Sequence, residues 1–177
     1  MIGVLVSGEG SNLQALLDAA LPVCAVASSK EDVRALTRAE AAGVPAAAFV
    51  LEEYRDRAER DATMANWLQE QGVRLVVCAG YMHLLTPVFL DRFPLRIVNV
   101  HPSLLPEFPG ARAIDDALAA GVETTGVTVH LVDDGLDTGP VLRQEPVPVQ
   151  PLATLSDRIH AVEHRLLPEV VRELCVR

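Results

Sequence analysis

The chain has 177 residues, of which half are hydrophobic and 22% charged, with 24 acidic against 15 basic residues and a formal net charge of −9. That composition fits a folded protein with a sizeable core and excludes a disordered chain. The acidic balance is a poor footprint for nucleic acid or an anionic membrane, so an anionic ligand would be held by local dipoles and a few placed cations.

Cys24, Cys78 and Cys175 form no CxxC pair, and their number is odd. Cys24 and Cys78 lie in apolar, strand-like runs and are expected to be buried reduced thiols of a cytosolic protein. No basic segment with an apolar core opens the sequence, and Asp18 and Pro22 interrupt its best apolar run. A soluble protein in the cytoplasm is expected.

The predicted elements begin with a strand from Ile2 to Val6, running into Ser7-Gly8-Glu9-Gly10-Ser11-Asn12. A helix follows with Leu13, Leu16 and Leu17 at helical spacing. A second strand spans Pro22 to Ala27, a helix Glu31 to Ala42, and a weaker strand Ala46 to Val50. The stretch from Glu53 to Gln71 reads as a helix with Met64, Trp67 and Leu68 on one face. Arg74 to Ala79 is a fourth strand, ending in Gly80-Tyr81-Met82. Such alternation gives βαβ units and a parallel sheet.

The next strand, Ile97 to Val100, is stopped by Pro102, which has no N–H for a ladder. Asn99 and His101 are two apart and project from one face of an extended chain. Ligands of open α/β sheets bind at the carboxyl ends of strands. An asparagine turn and a surface histidine would leave the same letters. After it come a short helix from Ile114 to Ala120 and strands from Thr125 to Val132 and Val141 to Val149, the last two suggesting a hairpin-like addition. A final helix from about Leu155 carries Ile159, Val162, Leu166, Val170 and Leu174 on one face, and Pro168 should kink or split it. No repeat or linker breaks the chain, so residues 1–177 are read as a single domain.

Three stretches could carry chemistry. The glycine loop at residues 8–12 opens a helix, whose N-terminal N–H groups suit a phosphate. Leu13 stands where a dinucleotide fingerprint needs a third glycine, and no GK[ST] follows, so a single terminal phosphate fits best. A tight turn capped by Ser11 would account for the glycines equally well. The Asp133–Asp137 loop lacks the ligand pattern of an EF-hand; its carboxylates are expected in solvent unless one lies beside His101 and fixes its tautomer. His160-Ala161-Val162-Glu163-His164 spells H-x-x-E-H, but with no evident third ligand, and no metal site is assigned there.

Together, Ser7-Gly8-x-Gly10-Ser11-Asn12-Leu13-Gln14, Ala79-Gly80-Tyr81-Met82, Asn99-x-His101-Pro102-Ser103-Leu104-Leu105-Pro106 with Phe108-Pro109-Gly110, Gly126-x-Thr128-Val129-His130 and Leu136-Asp137-x-Gly139-Pro140 resemble the glycinamide ribonucleotide transformylases, folate-dependent formyltransferases of purine synthesis. The match spans almost the whole chain in family order. It implies an α/β, Rossmann-like three-layer formyltransferase fold, its central sheet mostly parallel with an antiparallel C-terminal addition. It implies one formyltransferase domain over residues 1–177, acting on small molecules.

The resemblance further implies formyl transfer from 10-formyltetrahydrofolate, as co-substrate, to the glycinamide amine, with no metal. Its catalytic set would be Asn99 as oxyanion donor, His101 as general acid/base and Asp137 beside the imidazole. Gly10, Ser11 and Asn12 would take the ribose phosphate, with Glu163 near the ribose and glycinamide end. Arg57, Met82, His83, Leu84, Leu85 and Asn99 would face the folate. Arg57 and Asp61 read otherwise as an ordinary i,i+4 surface pair. His83, Arg112 and Glu9 depart from the family pattern, and Glu9 suits a phosphate loop only if it points outward. Other readings are a different formyl-folate transferase or hydrolase, or a non-catalytic phosphosugar-binding Rossmann-like domain. Oligomeric state is not fixed by the sequence.

Overall fold

A computed structural model describes residues 1–176 and divides them into two units, Met1–Val98 and the residues from Asn99 on. The first unit runs β1 (Ile2–Val6), α1 (Ser11–Asp18), β2 (Val23–Ser28), α2 (Arg34–Ala41), β3 (Ala46–Ala48), α3 (Arg57–Glu70), β4 (Leu75–Cys78), α4 (Pro87–Leu90) and the start of β5 (Ile97–His101). Its strands lie in the order β3-β2-β1-β4-β5, and β1 pairs in parallel with β2 and β4. Every residue of β1 is buried, which is why it reads as an unbroken apolar run instead of an alternating one. Leu5 pairs with both Ala27 and Cys78, so the glycine loop leaves from the carboxyl end of an inner strand.

Where expected and observed boundaries differ, local chemistry explains the shift. A helix expected from Glu53 begins instead at Arg57, after a 3₁₀ turn over Leu51–Glu53. The Asp56 carboxylate accepts from the Glu59 amide at 2.9 Å, and Glu59 accepts from the Arg55 amide at 2.8 Å. Those two bonds satisfy donors at the helix start and fix it there. The short helix α4 was not expected; Pro87 at its first turn supplies the preset φ.

The second unit completes β5 and adds α5 (Ala113–Ala120), β6 (Thr124–Leu131), β7 (Val141–Pro148) and α6 (Leu155–Val176), with strand order β5-β6-β7. β6 and β7 are antiparallel, so the parallel pairing of β1 to β4 gives way to the C-terminal addition the sequence implied. α6 packs on both β6 and β7 through Ile159, Leu166, Leu167, Val170 and Val171. Pro168 does not split it: the helix runs unbroken over 22 residues, and the proline is itself buried. Apolar packing on either side offsets the single backbone bond the ring removes. Among the described residues, no helix is long and apolar enough to cross a membrane.

Candidate active site

In the second unit, the strand periodicity of β5 places Asn99 and His101 on one side, with Val100 buried on the other. His101 is almost fully buried. Its Nε2 lies 2.8 Å from the Phe108 carbonyl oxygen, which can only accept, so the N–H donates. Its Nδ1 lies 3.4 Å from Asp137 Oδ2. Both ring nitrogens therefore face acceptors. Asn99 Nδ2 donates to Asp137 Oδ1 at 3.4 Å and lies 3.2 Å from His130 Nε2.

His130 was not singled out from sequence as a site residue. Its Nδ1 donates to the Leu131 carbonyl at 2.8 Å, and its Nε2 lies 3.2 Å from Asn99 Nδ2 and 3.6 Å from Asp137 Oδ1. It shares a face of β6 with Thr128, and that alternation was the signal available. The β6–β7 register shifts between Val129 and His130: Val129 pairs with Arg143 but His130 with Val141, leaving Leu142 as the extra residue. Such bulges re-aim side chains beside functional sites. Thr128 Oγ1 donates to the Ser103 carbonyl at 2.6 Å and accepts from the Leu105 amide at 3.1 Å, which fixes the chain just after His101.

The acidic loop sorts into distinct parts. Asp133 accepts from the Gly135 amide and the Thr138 hydroxyl and so closes the turn, while Asp134 is exposed. Asp137, only 11% exposed at its side chain, turns toward the histidines. Burial works against its charge, but the His130 side chain, the Gly110 N–H and the adjacent imidazoles outweigh it and hold the carboxyl below its ordinary value of 3.8. The Gly110 amide, at 2.8 Å, is the nearest donor.

In the first unit, α1 starts at Ser11, and the residue before it is Gly10, at φ 74°. Gly10, at the N-cap, has no side chain to offer, and the first N–H groups of a helix suit an anion. A Cβ on Gly10 would lie 2.6 Å from that of Ala35, so glycine is needed for both conformation and space. Glu9 is exposed and paired with Arg34 and Arg38 at 2.8 and 2.9 Å, and it thus points outward as a phosphate loop requires.

The segment after β4 carries Met82 and Leu84 exposed, His83 half-buried and Leu85 buried. Arg57 donates to the Leu84 carbonyl at 3.3 Å, and the Met82 amide donates to Ser7 Oγ at 3.0 Å. The i,i+4 surface pair of Arg57 and Asp61 is not what forms. Asp61 is fully buried and paired with its neighbour Arg60 at 2.6 Å. Glu163 is buried on α6. Among the described residues, no group of three or more His, Cys, Asp or Glu could hold a metal ion. His160 and His164 of the H-x-x-E-H run stack on each other instead, ring centroids 6.1 Å apart.

The sequence matches the formyl transferase family over residues 1–171. The chain belongs to the formyl transferase family. It is 46% identical to the phosphoribosylglycinamide formyltransferase of Mycobacterium tuberculosis, the alignment covering 97% of this chain and 83% of that one. It is 38% identical to the trifunctional purine biosynthetic protein adenosine-3 of Chironomus tentans, of whose length it spans only 13%. The crystal structure of glycinamide ribonucleotide transformylase 1 from Symbiobacterium toebii superimposes with a TM-score of 0.93 at 46% identity, covering 97% of this chain and 85% of that one. This formyl transferase therefore has the fold that its motifs implied.

Proposed function

We propose that this chain transfers a formyl group from 10-formyltetrahydrofolate, bound as a substrate, to the amine of glycinamide ribonucleotide in purine synthesis. Its membership of the formyl transferase family across residues 1–171 supports the reading. The observation that carries it is the convergence of Asn99, His101 and Asp137 in the second unit. We read residues 1–177 as one formyltransferase domain, acting in the cytoplasm on small molecules. The net charge of −9 argues against a nucleic-acid or membrane partner.

The reaction forms a C–N bond from the amine to the formyl carbon and breaks the bond from that carbon to the folate nitrogen. Between these events the formyl oxygen carries negative charge, and a proton must pass from the attacking to the leaving nitrogen. Asn99 is read as donor to that oxygen, a role typically worth ~10²–10³ in rate. His101 is read as the acid/base, worth ~10²–10⁴. Asp137 acts through His101, holding the ring's orientation, and His130 does the same for the Asn99 amide. Gly10, Ser11 and Asn12 are assigned to the ribose phosphate and Glu163 to the ribose and glycinamide end. Arg57, Met82, His83, Leu84, Leu85 and Asn99 are assigned to the folate.

The test is incubation with both substrates, following formylglycinamide ribonucleotide by mass spectrometry, with Ser11→Ala and Asn12→Ala compared by calorimetry. Product is expected, and the variants should weaken the phosphorylated substrate more than tetrahydrofolate. No product, or equal loss for both ligands, would contradict the reading.

A further inference from the structure

The first unit contains a buried ion pair to which the assignments above give no role. Asp61 and Arg60 are both 0% exposed, near the start of α3. A carboxylate removed from water persists only if its lone pairs are occupied. Asp61 has four donors: Arg60 Nε at 2.9 Å and Nη2 at 2.6 Å on Oδ1, and the Thr86 amide and hydroxyl, each at 2.8 Å, on Oδ2. Half of the bonds that hold this charge thus come from one residue outside the helix. Arg60 in turn lies 5.9 Å from the centre of the Tyr81 ring. Its Nη1 is buried with no hydrogen-bond partner, so the pair is not optimised as a self-contained structural unit.

Tyr81 and Thr86 bracket residues 82–85. Between them, Ser7 takes the Met82 amide and Arg57 the Leu84 carbonyl. The segment also presents Met82 and Leu84 to solvent at 63% and 47% exposure, an apolar surface unusual for a loop so heavily tied down. A flexible loop would need fewer buried anchors, whereas a surface that must be held in one shape needs them.

We infer that Asp61, acting through Thr86, is a positioning residue that sets the shape of segment 80–86 for the folate substrate. The inference rests on the formyl-folate reading above. Asp61 touches no substrate; its charge fixes where Thr86 sits, and Arg60 carries the same constraint to Tyr81. The consequence is selective. Loosening Thr86 should affect folate binding and leave the phosphate loop, on a different strand end, unaltered.

The test compares the parent chain with Thr86→Val, which removes the hydroxyl while keeping the branched shape, and Thr86→Ser, which retains it. Steady-state kinetics with both substrates are read beside hydrogen exchange of the amides of residues 80–86. In Thr86→Val the KM for 10-formyltetrahydrofolate should rise about tenfold, the scale of one hydrogen bond to a charged group, with the KM for glycinamide ribonucleotide held within about twofold. Its 80–86 amides should exchange faster, and Thr86→Ser should restore both readouts. Asp61→Asn should shift the same constants further; should it not fold, the Thr86 pair decides alone. An unchanged folate KM in Thr86→Val, equal rises in both KM values, or a serine variant as impaired as the valine one would overturn the inference. A parent chain with no transferase activity would overturn the functional reading and this role with it. That failure shows in the parent, whereas failure of the inference alone shows only in the variants.

Discussion

Asp137 Oδ2 lies 3.4 Å from His101 Nδ1, although the two residues are 36 positions apart and leave their strands in different loops. The aspartate reaches it from a left-handed backbone, φ 56°, so the loop itself aims the carboxylate. Asparagine is among the few residues that tolerate that region, which makes Asp137→Asn a clean removal of charge. The variant should fold, while kcat falls at least ~100-fold because the imidazole loses its partner. Steady-state rates with circular dichroism check both halves, and an unchanged kcat would remove Asp137 from the chemistry.

The same group sets a pH signature on stability. Its folded carboxyl is held below the ordinary 3.8, so its stabilising contribution is present above that value and is lost as pH falls through the lower folded value. The gap in urea midpoint between the parent and Asp137→Asn should therefore be flat near neutrality and shrink below about pH 4. A gap that widened on acidification would contradict the assigned direction.

Gly10 offers a test of the phosphate loop that does not depend on catalysis. An alanine there faces both φ 74° and a 2.6 Å approach to the Ala35 Cβ. Gly10→Ala should destabilise the protein by about 2–4 kcal/mol, the sum of a left-handed penalty and local overpacking. Gly43→Ala, at φ 68° with open space around its Cβ position, should cost less. Equilibrium unfolding of the two variants gives the comparison directly.

Burial pushes the Cys78 thiol up to about 12, whereas Cys175 is exposed on α6. In the native protein near neutral pH, iodoacetamide should modify Cys175 well before Cys78, as peptide mass mapping would show. Cys24, expected to be buried, is only partly so and should react at an intermediate rate.

Much of the fold is legible because its inner strands spell unbroken apolar runs and its turns fall at Gly8, Gly80 and Pro102. The pairing of Asn99 with His101 follows from strand period alone. Less legible was anything set by partners far along the chain. Asp61 looked like half of a surface pair because its spacing from Arg57 fits that pattern, yet its bonds to Thr86 and the neighbouring Arg60 bury it. His130 carried a weak signal in the alternation of β6, but its contact with Asn99 arises only when β5 and β6 are neighbours. The start of α3 was there to read in Asp56-Arg57-Ala58-Glu59, a capping pattern that outweighs the helical propensity of the residues before it.

On this mechanism His101 moves the proton that formyl transfer requires. Single-turnover transfer, measured with both substrates saturating for the parent and for His101→Ala, tests it most directly. The chemical step should fall by ~10²–10⁴ with little change in affinity for either substrate. A variant that transfers formyl at the parental rate would contradict it.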